Sequence, residues 1–138
     1  MPRAPRSIAQ IAGAVQAPLP PRMSAALATL TKAVPAGDGW LHEVKYDGYR
    51  ILARLDAGAV KLFSRNGNDW TAKMAGVAQA VGKLKAKGAW LDGEVCVVDA
   101  DGRSSFQALQ NALGGTRVPL HHFIFDLLYS KGTTCGGP

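Results

Sequence analysis

The chain has 138 residues, 47% of them hydrophobic, with a formal net charge of +6 and a pI of about 9.6. That composition is globular rather than disordered, suffices for one modest domain with a core, and holds no apolar run approaching a membrane span. The charge favours an anionic partner such as nucleic acid or nucleotide phosphates, although a plain solvated basic surface fits it equally well.

Residues 1–22 read as a linker-like lead-in. They carry Arg3 and Arg6, an apolar patch from Ile8 to Val15 too weak for a secretory signal, and the closing run Pro18-Leu19-Pro20-Pro21. Ser24 to Leu30 suits a short helix or an extended arm, and Pro35, Gly37 and Gly39 then break the chain. Trp40 to Tyr46 alternates like a strand, with Leu41, Glu43 and Lys45 on one face. Asp47-Gly48 predicts a turn, Arg50 to Leu55 a second strand, Asp56-Ala57-Gly58 a turn, and Val60 to Ser64 a third strand ended by Asn66-Gly67.

Thr71 to Lys87 has helical spacing at Met74, Val77, Val81 and Leu84, with lysines in its last turns and Gly88 as a stop. Trp90 to Val98 reads as a strand interrupted by Gly93, followed by the turn Asp99-Ala100-Asp101-Gly102. Ser105 can cap a short helix through Leu113, stopped by Gly114-Gly115. Pro119 to Leu128 is the last strand. The elements predict an α+β fold: a mixed or antiparallel sheet with flanking helices.

Lys45-Tyr46-Asp47-Gly48-Tyr49-Arg50 places an amine, a carboxylate, a glycine turn and a guanidinium together. The set suits attack of a lysine on a nucleoside triphosphate, which leaves a nucleotide on the lysine nitrogen. The amine must first lose its proton, which nearby cations such as Arg50 and Arg65 and burial both favour. Glu43 can accept from an exocyclic amine such as that of adenine, and Gly48 lets the backbone turn beside a phosphate. Taken alone, Lys45 reads first as a solvated strand lysine paired with Glu43, and the combined hexapeptide is what points to chemistry.

Leu91-Asp92-Gly93-Glu94 sets a glycine between two carboxylates inside a strand. That pattern means close approach of a ligand, with Glu94 on a ribose hydroxyl or a magnesium ion, or else a bulge with an exposed carboxylate. Ser64-Arg65-Asn66-Gly67 is a phosphate clamp through Arg65 or an ordinary hairpin corner. In Phe123-Ile124-Phe125-Asp126-Leu127-Leu128, Phe123 suits packing, and Phe125 suits either packing or stacking on a purine. Asp99-Ala100-Asp101-Gly102 lacks the flanking ligands of a calcium loop, and adjacent His121 and His122 face opposite sides of a strand. Cys96 suits a buried thiol; with Cys135 it forms no metal spacing, which suits a reducing cytoplasm.

Trp40 to Arg50, Ser64 to Gly67, Leu91 to Glu94 and Phe125 to Leu128, in this order, resemble the nucleotidyltransferase superfamily of ATP-dependent DNA ligases, RNA ligases and capping enzymes. They are most similar to the ligase domain of the bacterial multifunctional end-joining ligase D group. The resemblance implies an ATP-grasp-like nucleotidyltransferase fold, here incomplete. It also implies Lys45 carrying AMP, Glu43 at the adenine amine, and Arg50 at the ribose and nick phosphate. Arg65 would clamp a phosphate, Glu94 would bind the ribose or assist a metal, and Phe125 would stack on adenine.

ATP is the implied substrate, with Mg2+ or Mn2+, and nicked or broken double-stranded DNA and end-joining proteins are the implied partners of a monomer with no membrane association. Residues 23–130 correspond to the N-terminal part of the adenylation domain. Residues 131–138 read as an aberrant tail in place of a second carboxylate motif, a lysine-rich motif and an OB fold. Little or no ligation by this chain alone is therefore expected. The alternatives are an RNA ligase or capping-type nucleotidyltransferase, a non-catalytic nucleotide- or DNA-binding remnant, or a product that fails to fold.

Overall fold

A computed structural model describes residues 10–130 and the backbone of 133–134. Arg3, Arg6, Cys135 and the rest of the 131–138 segment lie outside the described residues. The fold is α+β, with two helices and a six-stranded sheet in the order β1-β6-β5-β4-β2-β3. The strands are β1 (Val15–Gln16), β2 (Tyr49–Asp56), β3 (Ala59–Ser64), β4 (Gly88–Cys96), β5 (His121–Ser130) and β6 (Thr133–Thr134). Every pairing among them is antiparallel. Two residues of the segment expected to be an aberrant tail thus supply backbone pairing to both β5 and β1.

The β2–β3 hairpin follows its sequence closely. Ala57 and Gly58 both take positive φ, 47° and 88°, the two-residue turn whose twist matches antiparallel strands. Alternation then sorts β2 between the two sheet faces. Ile51, Ala53 and Leu55 join a core with Leu62, Val95 and residues of both helices. Arg50, Leu52 and Arg54 belong to the opposite face with Trp90, Asp92 and Glu94 of β4.

Helix α1 (Ala75–Gly82) is shorter than the Thr71–Lys87 span that the periodicity predicts. Met74, Val77 and Val81 are buried as expected, each worth about 1.5–3 kcal/mol of burial. Leu84 is exposed, because Lys83 already caps the helix and the chain turns back toward the sheet. Gly88 opens β4 opposite Asp56 instead of stopping a helix. Helix α2 (Phe106–Leu113) starts where its cap predicts, the Ser105 hydroxyl accepting from the Ala108 N–H at 3.2 Å.

The other sheet face is covered by the N-terminal arm. Leu19, Met23 and Ala25 pack on Leu52, Trp90, Leu128 and Tyr129. The Pro20 carbonyl accepts from the Trp90 indole at 2.8 Å and from Arg54 Nε at 3.0 Å, and the Ala17 carbonyl accepts from the Tyr129 hydroxyl at 2.7 Å. Over its described part, the segment expected to be linker-like is thus bound to the sheet. Ser24 to Leu30 forms no helix.

Candidate active site

The site forms where β2 begins, on the arm-covered face. Arg50 and Glu94 are directly opposite across the β2–β4 ladder, and Asp92 precedes Glu94 by two residues on the same face. Arg50 Nε donates to Asp92 Oδ1 at 2.8 Å and Arg50 Nη2 to Oδ2 at 2.6 Å, a bidentate pair with a fully buried carboxylate. Nη2 also donates to the Ala26 carbonyl at 3.0 Å, and the guanidinium carbon lies 4.9 Å from the Phe125 ring centroid. The Asp92 hydrogen bonds hold the Arg50 pKa above its ordinary value.

Glu94 is the freer carboxylate. Burial lifts its pKa above the usual glutamate value, against a smaller opposing pull from Arg50 and the Gly48 backbone. Glu94 and Arg50 share a hollow of about 490 Å³ with Glu43, Lys45, Asp47, Gly48 and Phe125. A neighbouring hollow of about 340 Å³ shares Gly48, Arg50 and Glu94 with it and adds Ser64, Arg65 and Asn66. Glu43, Lys45, Arg50, Glu94 and Phe125 therefore meet at one cavity, and Arg65 stands beside it.

Two expectations need correction. Trp40 to Tyr46 is not a strand, because no neighbouring strand takes up its backbone groups among the described residues. It is held against β5 by Tyr46, whose ring stacks on Phe123 at 3.9 Å with an interplanar angle of 3°. Lys45 is not buried: its side chain is 91% exposed, and its partner is Asp47 Oδ1 at 3.6 Å rather than Glu43. Gly48 and Gly93 both lie in close contact with protein backbone, and Gly93 takes the bulge alternative. A Cβ on Gly48 would collide with the Val95 carbonyl, and one on Gly93 with the Phe123 carbonyl, beside the Asp92–Gly93 register shift.

Sequence reasoning assigned no partner to Asp92. The signal was its even spacing from Glu94, which sets both carboxylates on the Arg50 face once β2 and β4 pair. Among the described residues, no group of three or more His, Cys, Asp or Glu side chains could hold a metal. No described helix is long and apolar enough to cross a membrane.

Residues 21–136 match the family described as the ATP dependent DNA ligase domain. The multifunctional non-homologous end joining protein LigD of Pseudomonas aeruginosa is 41% identical over 116 residues, which are 83% of this chain and 14% of that protein. The LigD DNA repair protein of Mycobacterium tuberculosis is 43% identical over 93 residues, 67% of this chain and 12% of that protein. Two solved structures share the fold at a TM-score of 0.60. They are mycobacterial DNA ligase D complexed with ATP and MES, 38% identical, and the ligase domain of M. tuberculosis LigD, 40% identical. Each is matched over 67% of this chain and 30% of its own.

Proposed function

The chain belongs to the ATP-dependent DNA ligase family, and on that footing we propose that its 490 Å³ hollow binds ATP and that Lys45 becomes adenylated there. Convergence of Glu43, Lys45, Arg50, Glu94 and Phe125 on one cavity supports this reading. Lys45 Nζ, once deprotonated, forms a bond to the α-phosphorus while the bond to the bridging oxygen breaks and pyrophosphate leaves. Glu43 accepts from the adenine amine, Phe125 faces the base, and Arg50, fixed by Asp92, directs its remaining donors at the ribose and phosphates.

Arg65 reaches the phosphates from the adjoining hollow. Glu94 contacts the ribose. It is also the carboxylate that would hold a magnesium or manganese ion shared with the triphosphate, an ion that neutralises phosphate charge when bound. In this reading residues 23–130 are adenylation-domain sequence. Nicked duplex DNA receives the AMP in the second step of the whole ligase, in repair by end joining. In this reading the bound nucleotide covers the amine, which is exposed without it.

The test is incubation of the full chain with labelled ATP and magnesium. A stable labelled adduct on the wild type and none on Lys45→Ala is expected; equal labelling of both would sink the assignment. ATP should outcompete GTP, because guanine has a carbonyl where adenine offers its amine to Glu43. The chain spans only 14% and 12% of the two LigD proteins, and nick sealing by it alone is not expected.

A further inference from the structure

We propose that the turn joining β4 to α2 is a backbone clamp for the Lys45 segment, with Ser104 as the positioning residue. The inference deepens the adenylation reading and rests on it for its catalytic consequence. Ser104 Oγ accepts from the Asp47 N–H at 2.8 Å, across 57 residues of sequence. Among the described residues this is the one hydrogen bond made by Trp40 to Asp47. Asp47 follows Lys45 by two positions and carries the carboxylate nearest its amine. The bond therefore fixes the chain at the stem of the nucleophile, while the adjacent Gly48 is packed against the Val95 carbonyl.

The turn is built to hold that oxygen still. The Asp99 carboxylate accepts from the Asp101 and Arg103 N–H groups, both at 2.9 Å. The Asp99 N–H donates to the Arg103 carbonyl at 2.9 Å, and Gly102, at φ 80°, donates to the Asp99 carbonyl at 3.0 Å. Val98 and Ser104 then pair in a single β-bridge. Ser105 is committed to capping α2, so the two adjacent serines divide the work. The aspartate-rich turn that fails as a calcium loop thus gains a purpose: it preorganises a half-buried acceptor for the loop that bears the amine.

The experiment uses the full chain as wild type, Ser104→Ala and Ser104→Thr. Amide exchange at Asp47 should accelerate about fivefold to tenfold in Ser104→Ala and return toward wild type in Ser104→Thr, with β2 and β4 amides unchanged. Unaltered exchange at Asp47 in Ser104→Ala would overturn the clamp. In the adenylation assay, Ser104→Ala should lower the limiting single-turnover rate constant about tenfold while the ATP concentration for half-maximal rate moves little, and Ser104→Thr should recover it. A loss confined to ATP affinity, with the limiting rate constant unchanged, would refute the positioning role. If the wild type takes up no label, the Lys45 assignment fails, and the exchange measurement still decides whether the clamp exists.

Discussion

Arg50 grips Asp92 through two parallel hydrogen bonds, with the carboxylate wholly removed from solvent and the guanidinium side chain 23% exposed. Removing the arginine strands a buried charge, whereas Asp92→Asn keeps an acceptor of the same shape. Arg50→Ala should therefore cost about 3 kcal/mol or more, and Asp92→Asn about 1–2 kcal/mol. Urea unfolding followed by tryptophan fluorescence measures both. The reverse order would contradict the geometry.

The raised pKa of Glu94 makes a signed prediction for pH. The fold favours its protonated form, so that contribution is complete below 4.5, its ordinary value, and disappears as pH climbs through the folded value. Glu94→Gln carries no such loss. Its thermal midpoint should match wild type near about pH 4 and exceed it near about pH 7. A constant offset across that range would rule out burial of the charge as the cause.

Gly48 and Gly93 should tolerate no side chain, since each would drive a Cβ into a strand carbonyl. Alanine at either position should cost about 2–3 kcal/mol, while Gly39→Ala, with nothing within 4 Å, should stay within about 0.5 kcal/mol of wild type. Denaturant midpoints of the three variants separate close strand approach from a general intolerance of glycine replacement.

Cys96 is fully buried, and burial, with Glu94 and Asp47 adding to it, pushes its thiol up to about 11. Native protein should resist alkylation at Cys96 near about pH 8 and react there once unfolded. Peptide-resolved mass spectrometry reads that site apart from Cys135. Rapid native labelling of Cys96 would mean that the packing beside Gly48 opens readily.

The hairpin from Tyr49 to Ser64 was legible because its apolar alternation and its Ala57-Gly58 turn point to the same register. The Ser105 cap was legible for a similar local reason. The convergence of Lys45, Arg50 and Glu94 on one cavity emerged from motif order, since strand parity sets faces but not which strands adjoin. Trp40 to Tyr46 misled because alternation describes side-chain direction, whereas a strand also needs a neighbour for its N–H and C=O groups. The Asp92 pairing and the Ser104 bond join residues 42 and 57 positions apart; the spacing of Asp92 from Glu94 sets its face but not the strand beside it, and no local pattern announces the Ser104 bond. The bound arm was hidden because its hydrogen bonds to Trp90 and Tyr129 run through the carbonyls of Pro20 and Ala17, groups that every sequence possesses.

That arm also orders events in time. The Trp90-to-Pro20 bond closes a span of 70 residues and the Tyr129-to-Ala17 bond one of 112, whereas the β2–β3 hairpin closes over two. Chain closure over such spans is slow beside hairpin formation, so we expect the sheet to assemble first and the arm to dock last. Until it does, Trp90 and Leu128 face water during folding, and stopped-flow fluorescence should find tryptophan burial trailing hairpin formation.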